Sequence, residues 1–445
     1  MKTAKTTIDF SQTKGTIRRL NGGNIGPRLW HPNGALAKYQ ELEIPITRLH
    51  DAALGNFGLR IVDTQNIFGN WRADQNNPDN YYFRQTDDYL WQLVRSKSKI
   101  VYRLGPSIEH LETHYHAHPP EDYEKWADIC INIIRHYNEG WNNGFSWDIE
   151  YWEIWNEPDL GSCMWSGPME EYLKLYEVAA KKIKDRFPNV KVGGPALTAI
   201  TGRDGKWGDA FLARCRERNI PLDFFSWHSY AGDPAVVIDK PKKARKFLDK
   251  YGFKKTELHL NEWHYWYAYE HNWEQNPRYS HSSARAAVHA ASVLTGWQDT
   301  PIDAGCFYTI GNLDIDQTNW GAWSADVTPN KIFYAFKAFA EVARHPKRVK
   351  TESNTKNVRV LAGLDDSGAG VVLVSDFTSS CENIVVKIEG ASVEQLEVLC
   401  LDEEKNLEAV PVQMKDGIIY LPTPKDESSV YLLRGFQVKE EVSAK

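Results

Sequence analysis

Eight short runs rich in β-branched and aromatic residues, each followed by a longer helical pattern, fill about 330 residues of this 445-residue chain. They lie at 18–26, 45–50, 99–105, 149–155, 191–196, 223–230, 257–263 and 303–310. Strands joined by helices run parallel, because a helical crossover returns the chain to the same edge of the sheet. Eight such units are the requirement of a (β/α)8 barrel. An open doubly wound sheet would favour a G-x-G-x-x-G loop after its first strand, and none of that form is present. The helices between the runs have readable ends. One opens at Pro119-Pro120-Glu121-Asp122 and carries Trp126, Ile129, Ile133 and Tyr137 on one face until Gly140. The next opens at Pro168 with Glu170 and Glu171, and closes on Lys181, Lys182, Lys184 and Arg186 before Pro188. Acidic starts and basic ends suit the helix dipole. Another begins at Thr328-Pro329 and runs through Ile332, Phe333, Phe336 and Phe339.

After about residue 350 the pattern changes to short alternating runs at 358–361, 371–375, 384–388, 396–401, 418–421 and 430–433. These predict a small antiparallel β-sandwich over 350–437, to which the strand-like stretch 6–17 adds a strand, beside a barrel over 18–345. Tryptophan follows the same division. All 17 lie between Trp30 and Trp323, and the last 122 residues hold none. A net charge of −6 gives no electrostatic footprint for nucleic acid or an anionic membrane. No apolar run approaches the ~18 residues of a spanning helix. Residues Met1 to Phe10 lack an apolar signal core, so the chain as written reads as cytoplasmic, or as periplasmic or secreted if a signal peptide has been removed. The cysteines (Cys130, Cys163, Cys215, Cys306, Cys381, Cys400) form no C-x-x-C pair and read as mostly buried thiols.

In a barrel, function gathers where the strands end on their C-terminal side. Those ends present Arg48 and His50 after the second run, Asn156 and Glu157 after the fourth, His228 and Tyr230 after the sixth, and Glu262 after the seventh. Two carboxyl groups far apart in sequence therefore converge on one mouth, which is what acid/base cleavage of a glycosidic bond requires. One must stay protonated to donate to the leaving oxygen, and the other must be ionised to attack C1. Arg48 and Tyr230 are candidates to keep Glu262 ionised, by charge and by hydrogen bonding. Glu157 needs a poorly solvated setting that raises its pKa.

The segment Tyr151 to Leu160 (YWEIWNEPDL), followed by Trp165, resembles the fourth-strand acid/base motif of the retaining (β/α)8 glycosidases. More closely it resembles glycoside hydrolase family 39, the β-xylosidase and α-L-iduronidase family. Further landmarks follow in order: ITRLHD at 46–51, the 172–197 segment ending VGGPAL, NIPLDFFSWHSY at 219–230, LHLNEW at 258–263 and GAWSADVTPNKIFYAFKAFAEV at 321–342. The resemblance covers about residues 18–342 and implies a barrel with a C-terminal β-sandwich. It implies Glu157 as general acid/base, Glu262 as nucleophile and Asn156 as a hydrogen-bond partner of the sugar 2-OH. His228 and Tyr230 would line the nucleophile, with Arg48 and His50 on the floor of the −1 subsite. The chain departs from the family at two places. Its eighth run reads Cys306-Phe307-Tyr308-Thr309 where a Trp is common, and the nucleophile is followed by Trp263-His264-Tyr265.

Among the tryptophans, Trp126 and Trp155 suit core packing. Trp165, Trp263, Trp266, Trp320 and Trp323 follow strand ends, where an indole face can stack on sugar C–H surfaces. Of these, Trp263 and Trp320 join the expected substrate-binding set. The cluster His110, His114, His116 and His118 could suggest a metal, but it follows the third run and reads as a polar rim loop. The expected function is cofactor- and metal-free double-displacement hydrolysis of terminal glycosidic bonds in plant- or algal-type saccharides, β-xylosidase-like. The alternatives are an α-L-arabinosidase or arabinofuranosidase, and a catalytically silent carbohydrate-binding barrel.

Overall fold

The computed structural model of the protein describes residues 2–27, 34–52, 60–109, 112–266, 277–311, 320–324, 326–422 and 428–438. The first strand, β1 (Thr3–Thr16), belongs to the C-terminal sheet. Eight strands then close a parallel barrel in sequence order: β2 (Gly22–Asn24), β3 (Ile46–Leu49), β4 (Lys99–Leu104), β5 (Tyr151–Ile154), β6 (Lys191–Leu197), β7 (Phe224–Ala231), β8 (Glu257–Tyr265) and β9 (Ala304–Phe307). Each of the eight sequence runs overlaps one of them. Five of the observed strands are shorter than their runs, whereas β6 and β8 run on by one and two residues.

The helices keep the predicted caps to within a few residues. Asp122 accepts hydrogen bonds from the Glu124 and Lys125 amides at the start of helix Tyr123–Glu139, and Gly140 ends it at φ 73°. Helix Met169–Arg186 follows Pro168 directly. Helix Lys331–Ala343 starts two residues beyond the Thr328-Pro329 signal, where Asn330 caps the Ile332 amide.

Alternation along the strands sorts their side chains. Leu49, Tyr102, Trp152, Ile154, Val192, Phe225, Trp227, Leu258 and Leu260 face outward and are buried with the helices in one continuous core. Ile46, Val101, Tyr151, Phe224, Ala304 and Cys306 form a separate apolar cluster from the opposite strand faces. Two residues further along those faces stand Arg48, Arg103 and Glu153, all fully buried. The barrel lumen is thus apolar at one end and ionic above it. Close approach explains a glycine here: a Cβ on Gly193 would lie 2.2 Å from the Phe224 carbonyl oxygen of the neighbouring strand.

Nine strands follow the barrel: β10 (Lys347–Ser353), β11 (Val358–Leu364), β12 (Ala369–Phe377), β13 (Asn383–Glu389), β14 (Ser392–Leu401), β15 (Asn406–Ala409), β16 (Gln413–Lys415), β17 (Ile418–Leu421) and β18 (Ser428–Gln437). With β1 they make a ten-stranded sheet in the order β15-β14-β18-β12-β11-β10-β1-β13-β17-β16. Its pairs are antiparallel except β1 with β13, which run parallel. The fold is therefore a TIM barrel with a C-terminal β-sandwich. Strands β10, β15 and β16 carry mainly charged and polar residues, so hydrophobic alternation does not reveal them. Leu361, Leu373 and Leu432 of this sheet join the barrel core. Arg348 pairs both guanidinium nitrogens with Asp299, at 2.8 and 2.7 Å. All six cysteines are free thiols, and all but Cys163 are buried. Among the described residues no helix is long and apolar enough to cross a membrane.

Candidate active site

Arg48 organises the ionic end of the lumen. Its Nε donates to Glu153 Oε2 at 2.6 Å, Nη1 to Glu262 Oε1 at 2.8 Å, and Nη2 to Asn156 Oδ1 at 2.6 Å. Burial works against its charge, but the carboxylates of Glu153 and Glu262 outweigh it and raise the Arg48 pKa. Removing one partner of such a pair strands the other charge away from water. Replacing Arg48 with Met is therefore expected to destabilise the fold by about 3–5 kcal/mol, read from the urea unfolding midpoint. A midpoint unchanged from that of the native chain would show that Glu153 and Glu262 need no counter-charge.

Glu262 reaches this network through a β-bulge. Leu260 pairs with Trp227 and Glu262 with the adjacent His228, so Asn261 is an extra residue on β8. A bulge turns two consecutive side chains towards one face. Asn261 consequently donates to Glu153 within the lumen, while Glu262 meets Arg48 beside it. Alternation resumes beyond the bulge and turns Trp263 outward. Expected on the substrate wall, Trp263 instead lies edge-on to Trp297 and Phe307 in the helix layer, with ring centroids 4.8 and 5.0 Å apart.

Glu157 sits on a turn after β5 in which Trp155 and Glu157 both have positive φ, 71° and 39°. Such backbone is unfavourable for residues with a Cβ and persists only where neighbours fix it. Here the Trp155 amide donates to Leu104 O at 2.8 Å and the Glu157 amide to Ala196 O at 2.9 Å, tying the turn to the strands on either side. The Trp155 indole also donates to Met164 O, at 2.8 Å.

The remaining expected residues meet at these two carboxyl groups. His228 Nδ1 lies 2.6 Å from Glu157 Oε1 and 3.4 Å from Glu262 Oε2. The Tyr230 hydroxyl donates to Glu262 Oε2 at 2.8 Å, and His50 Nε2 stands 3.9 Å from Glu262 Oε1. Buried nitrogens of Asn156 (Nδ2), His50 (Nδ1) and His228 (Nε2) have no protein partner among the described residues. Trp320 stacks on His281 at 3.9 Å and faces Tyr230 edge-on at 6.1 Å, which places it beside Tyr230. Trp266 lies 6.2 Å from Tyr230. Trp165 packs edge-on to Trp155 and Tyr172, and Trp323 edge-on to Tyr39.

Sequence reasoning missed Asn24, Asp51, Asn261, His281 and Tyr308. The Tyr308 hydroxyl donates to Asp51 Oδ2 at 2.7 Å, and His50 Nε2 is 3.3 Å from the same oxygen. Against burial, which raises it, His50 and Arg60 hold the Asp51 carboxyl down to about 2. Asp51 adjoins the expected His50, and Tyr308 directly follows β9 within the eighth run; both were within reach of the strand-end rule. Alternation with the outward Leu258 and Leu260 already turns Asn261 inward, whereas Glu262 joins it there only through the bulge.

The electrostatics separate the two carboxyl groups. Burial, and then the charge of Asp159, push Glu157 up to about 8, with Arg48 pulling the other way. Burial lifts Glu262 as well, but His228, Arg48 and the Tyr230 hydrogen bond oppose it. Burial depresses His228 to about 4, so its imidazole is neutral near pH 7. Glu157, His228 and Glu262 offer ligand atoms within 4.8 Å of one another, close enough to hold a cation. Of these groups His228 and Glu157 are already joined by a hydrogen bond, a path along which a proton can move. On the rim, His118 is bonded through both ring nitrogens, to Ser166 and to His114 O; His110 lies outside the described residues.

The sequence pattern of the glycosyl hydrolases family 39 matches residues 60–302, more than half of the chain. A beta-xylosidase of Geobacillus stearothermophilus is 28% identical over 249 residues, which are 50% of this chain and 47% of that protein. A beta-xylosidase of Caldicellulosiruptor saccharolyticus is 40% identical over 119 residues, 26% of this chain and 23% of the relative. The chain thus spans half or less of the length of these curated relatives. A solved glucosidase structure from Croceicoccus marinus superposes with a TM-score of 0.79 at 21% identity, covering 97% of this chain and 99% of that one. A GH39 beta-xylosidase structure from Caulobacter crescentus superposes with a TM-score of 0.70 at 16% identity, covering 97% and 99%. At these identities the likeness is one of fold, barrel and sandwich together.

Proposed function

Because the chain belongs to glycosyl hydrolases family 39, we propose that it is a retaining glycoside hydrolase acting on terminal β-D-xylosides or closely related glycosides. The observation that carries this reading is the pair Glu157 and Glu262, with carboxyl oxygens within 4.8 Å and their proton affinities set apart by environment. Retaining enzymes hold their two carboxyl groups ~5–5.5 Å apart, and inverting enzymes ~6.5–9.5 Å apart to admit a water. The spacing here fits the former. The β-xyloside comes from the relatives, both named as beta-xylosidases.

In this mechanism Glu262 attacks the anomeric carbon while Glu157 gives its proton to the departing oxygen, and the glycosidic C–O bond breaks. Glu157, now ionised, takes a proton from water, whose oxygen displaces Glu262 from C1. Arg48 and Tyr230 hold the two Glu262 oxygens and orient one of them towards the sugar. The orphaned Asn156 Nδ2 is a donor for a sugar hydroxyl.

Two measurements test the reading. Proton NMR of the first product from p-nitrophenyl β-D-xyloside should show the β-anomer before mutarotation; initial release of the α-anomer would overturn retention. A panel that adds α-L-arabinofuranosides and α-L-arabinopyranosides ranks the neighbouring sugar specificities, and no cleavage anywhere in the panel would leave a silent binding barrel. The pH dependence follows from the same pair. Activity needs Glu157 protonated and Glu262 ionised, so kcat/KM should fall as pH rises through about 8. Its acid limb should lie above the ordinary carboxylate range, because Glu262 is also raised. A profile flat from pH 6 to about 10 would remove Glu157 from the acid role.

A further inference from the structure

Glu153 on β5 is a fully buried carboxyl group to which the double-displacement steps assign no role. Its Oε2 accepts the Arg48 Nε hydrogen at 2.6 Å, and its Oε1 accepts from the Asn261 side-chain amide. Neither nitrogen has a lone pair to receive a hydrogen in return, so the group stands as a carboxylate. The same guanidinium holds Glu262 Oε1 at 2.8 Å and Asn156 Oδ1 at 2.6 Å. One buried cation thus faces two carboxylates, a nucleophile and a spectator.

The two part company when the nucleophile reacts. Attack of Glu262 forms a C–O bond at C1 and breaks the glycosidic one, whose electron pair stays on the leaving oxygen along with the Glu157 proton. Glu262 becomes a neutral ester, and the negative charge passes to Glu157, which bonds His228 and not Arg48. Arg48 therefore loses one of its two counter-charges in every turnover. A buried guanidinium left with none is strongly disfavoured. The other groups around Glu262 do not fill the gap. His50 and His228, 3.9 and 3.4 Å away, are kept neutral near pH 7 by burial. Burial also raises the Tyr230 and Tyr308 hydroxyls, and pushes the Cys306 thiol up to about 12, so these carry no charge. Among the described residues, Glu153 is the one negative group still bonded to Arg48 once the ester has formed.

Resting on the retaining reading, we propose that Glu153 is a positioning residue for the nucleophile, the permanent counter-charge of Arg48 that stabilises the covalent glycosyl-enzyme. It acts through Arg48 and touches no reacting atom. By sharing the guanidinium it also keeps Glu262 from being fully neutralised before attack. Without it Glu262 is tied more tightly to Arg48, so attack slows. Loss of the ester quickens, because only departure of Glu262 from C1 returns a partner to Arg48.

The two steps are timed separately with a dinitrophenyl β-D-xyloside whose 2-hydroxyl is replaced by fluorine. The fluorine slows both steps, so inactivation reports attack by Glu262, and recovery after removal of the reagent reports hydrolysis of the ester. Glu153→Gln is nearly isosteric. Turning the Asn261 amide over offers its Oδ1, which has no partner in the native protein among the described residues, to the new amide, so both contacts persist. This variant should be trapped about 10²-fold more slowly than the native enzyme and recover at least about threefold faster. Glu153→Asp keeps the charge, so the ratio of its two rates should stay within about threefold of the native ratio even where both rates fall. Both steps slowed equally by Glu153→Gln, neither step altered, or a Glu153→Asp ratio outside that range would overturn the proposal. The aspartate comparison decides it by itself if the glutamine variant does not fold. A native enzyme whose intact mass gains no fluoroxylosyl unit would instead overturn the retaining reading on which the proposal rests.

Discussion

Replacing Glu262 with glycine should abolish turnover of p-nitrophenyl β-D-xyloside, with kcat falling by on the order of 10⁴–10⁶-fold as in other enzymes stripped of a nucleophile. The carboxylate that would form the covalent intermediate is gone, and no neighbour replaces it. Asn261 and Glu153 face one another inside the lumen, and Tyr230 and Arg48 are hydrogen-bond donors to the missing group. Azide added to this variant can occupy the vacated space and attack C1 once, from the face Glu262 would have used. The product should be the α-xylosyl azide, inverted relative to the substrate. If the glycine variant kept more than about a tenth of native kcat, Glu262 would not be the nucleophile. Because Glu262 is a buried charge beside Arg48, folding of the variant is checked in parallel by its unfolding midpoint.

Replacing Glu157 with alanine should depend on the leaving group. Aryl xylosides with highly acidic phenols need little protonation to depart, so their first step should survive. Alkyl xylosides and xylobiose should lose about 10²–10⁴-fold, the usual contribution of a general acid. Hydrolysis of the glycosyl-enzyme would then limit turnover, since no base remains to activate water. Azide, which needs no base, should restore turnover of the activated substrate and give β-xylosyl azide. Opposite anomers from the two variants separate the two roles directly. Equal losses on good and poor leaving groups would show that Glu157 does not donate the proton. The alkaline limb near 8 should also vanish in this variant, because that limb belongs to the Glu157 proton.

Much of this site was legible before folding. The eight runs predict eight strands, and the strand-end rule places Arg48, His50, Asn156, Glu157, His228, Tyr230 and Glu262 at one mouth, where the structure brings them together, Arg48 bonding Asn156 and Glu262, Tyr230 bonding Glu262, His228 bonding Glu157, and His50 lying 3.9 Å from Glu262. Alternation accounts for pairs such as Arg48 with His50 and His228 with Tyr230, since a strand sends every second side chain to the same face, whereas Glu262 needs the bulge and Glu157 the turn after β5. It failed at Trp263, because Asn261 adds a residue to β8 and reverses the alternation that a straight strand would have kept. The same bulge brought Glu262 into the lumen beside Asn261 without any mark in the sequence.

The sequence by itself determined the barrel and the sandwich, and it pointed to two strand-end carboxyl groups, Glu157 and Glu262, as candidates. Periodicity and composition are local properties, and they record which face of each element must be buried. Only the tertiary structure decided what those groups experience. Burial and the Asp159 charge raise Glu157, Arg48 joins Glu153 to Glu262, and Lys356 of the sandwich comes to share a crevice with Tyr230 of the barrel. Desolvation and charge–charge attraction act through space between residues distant in the chain, so they come into existence only when the strands have closed.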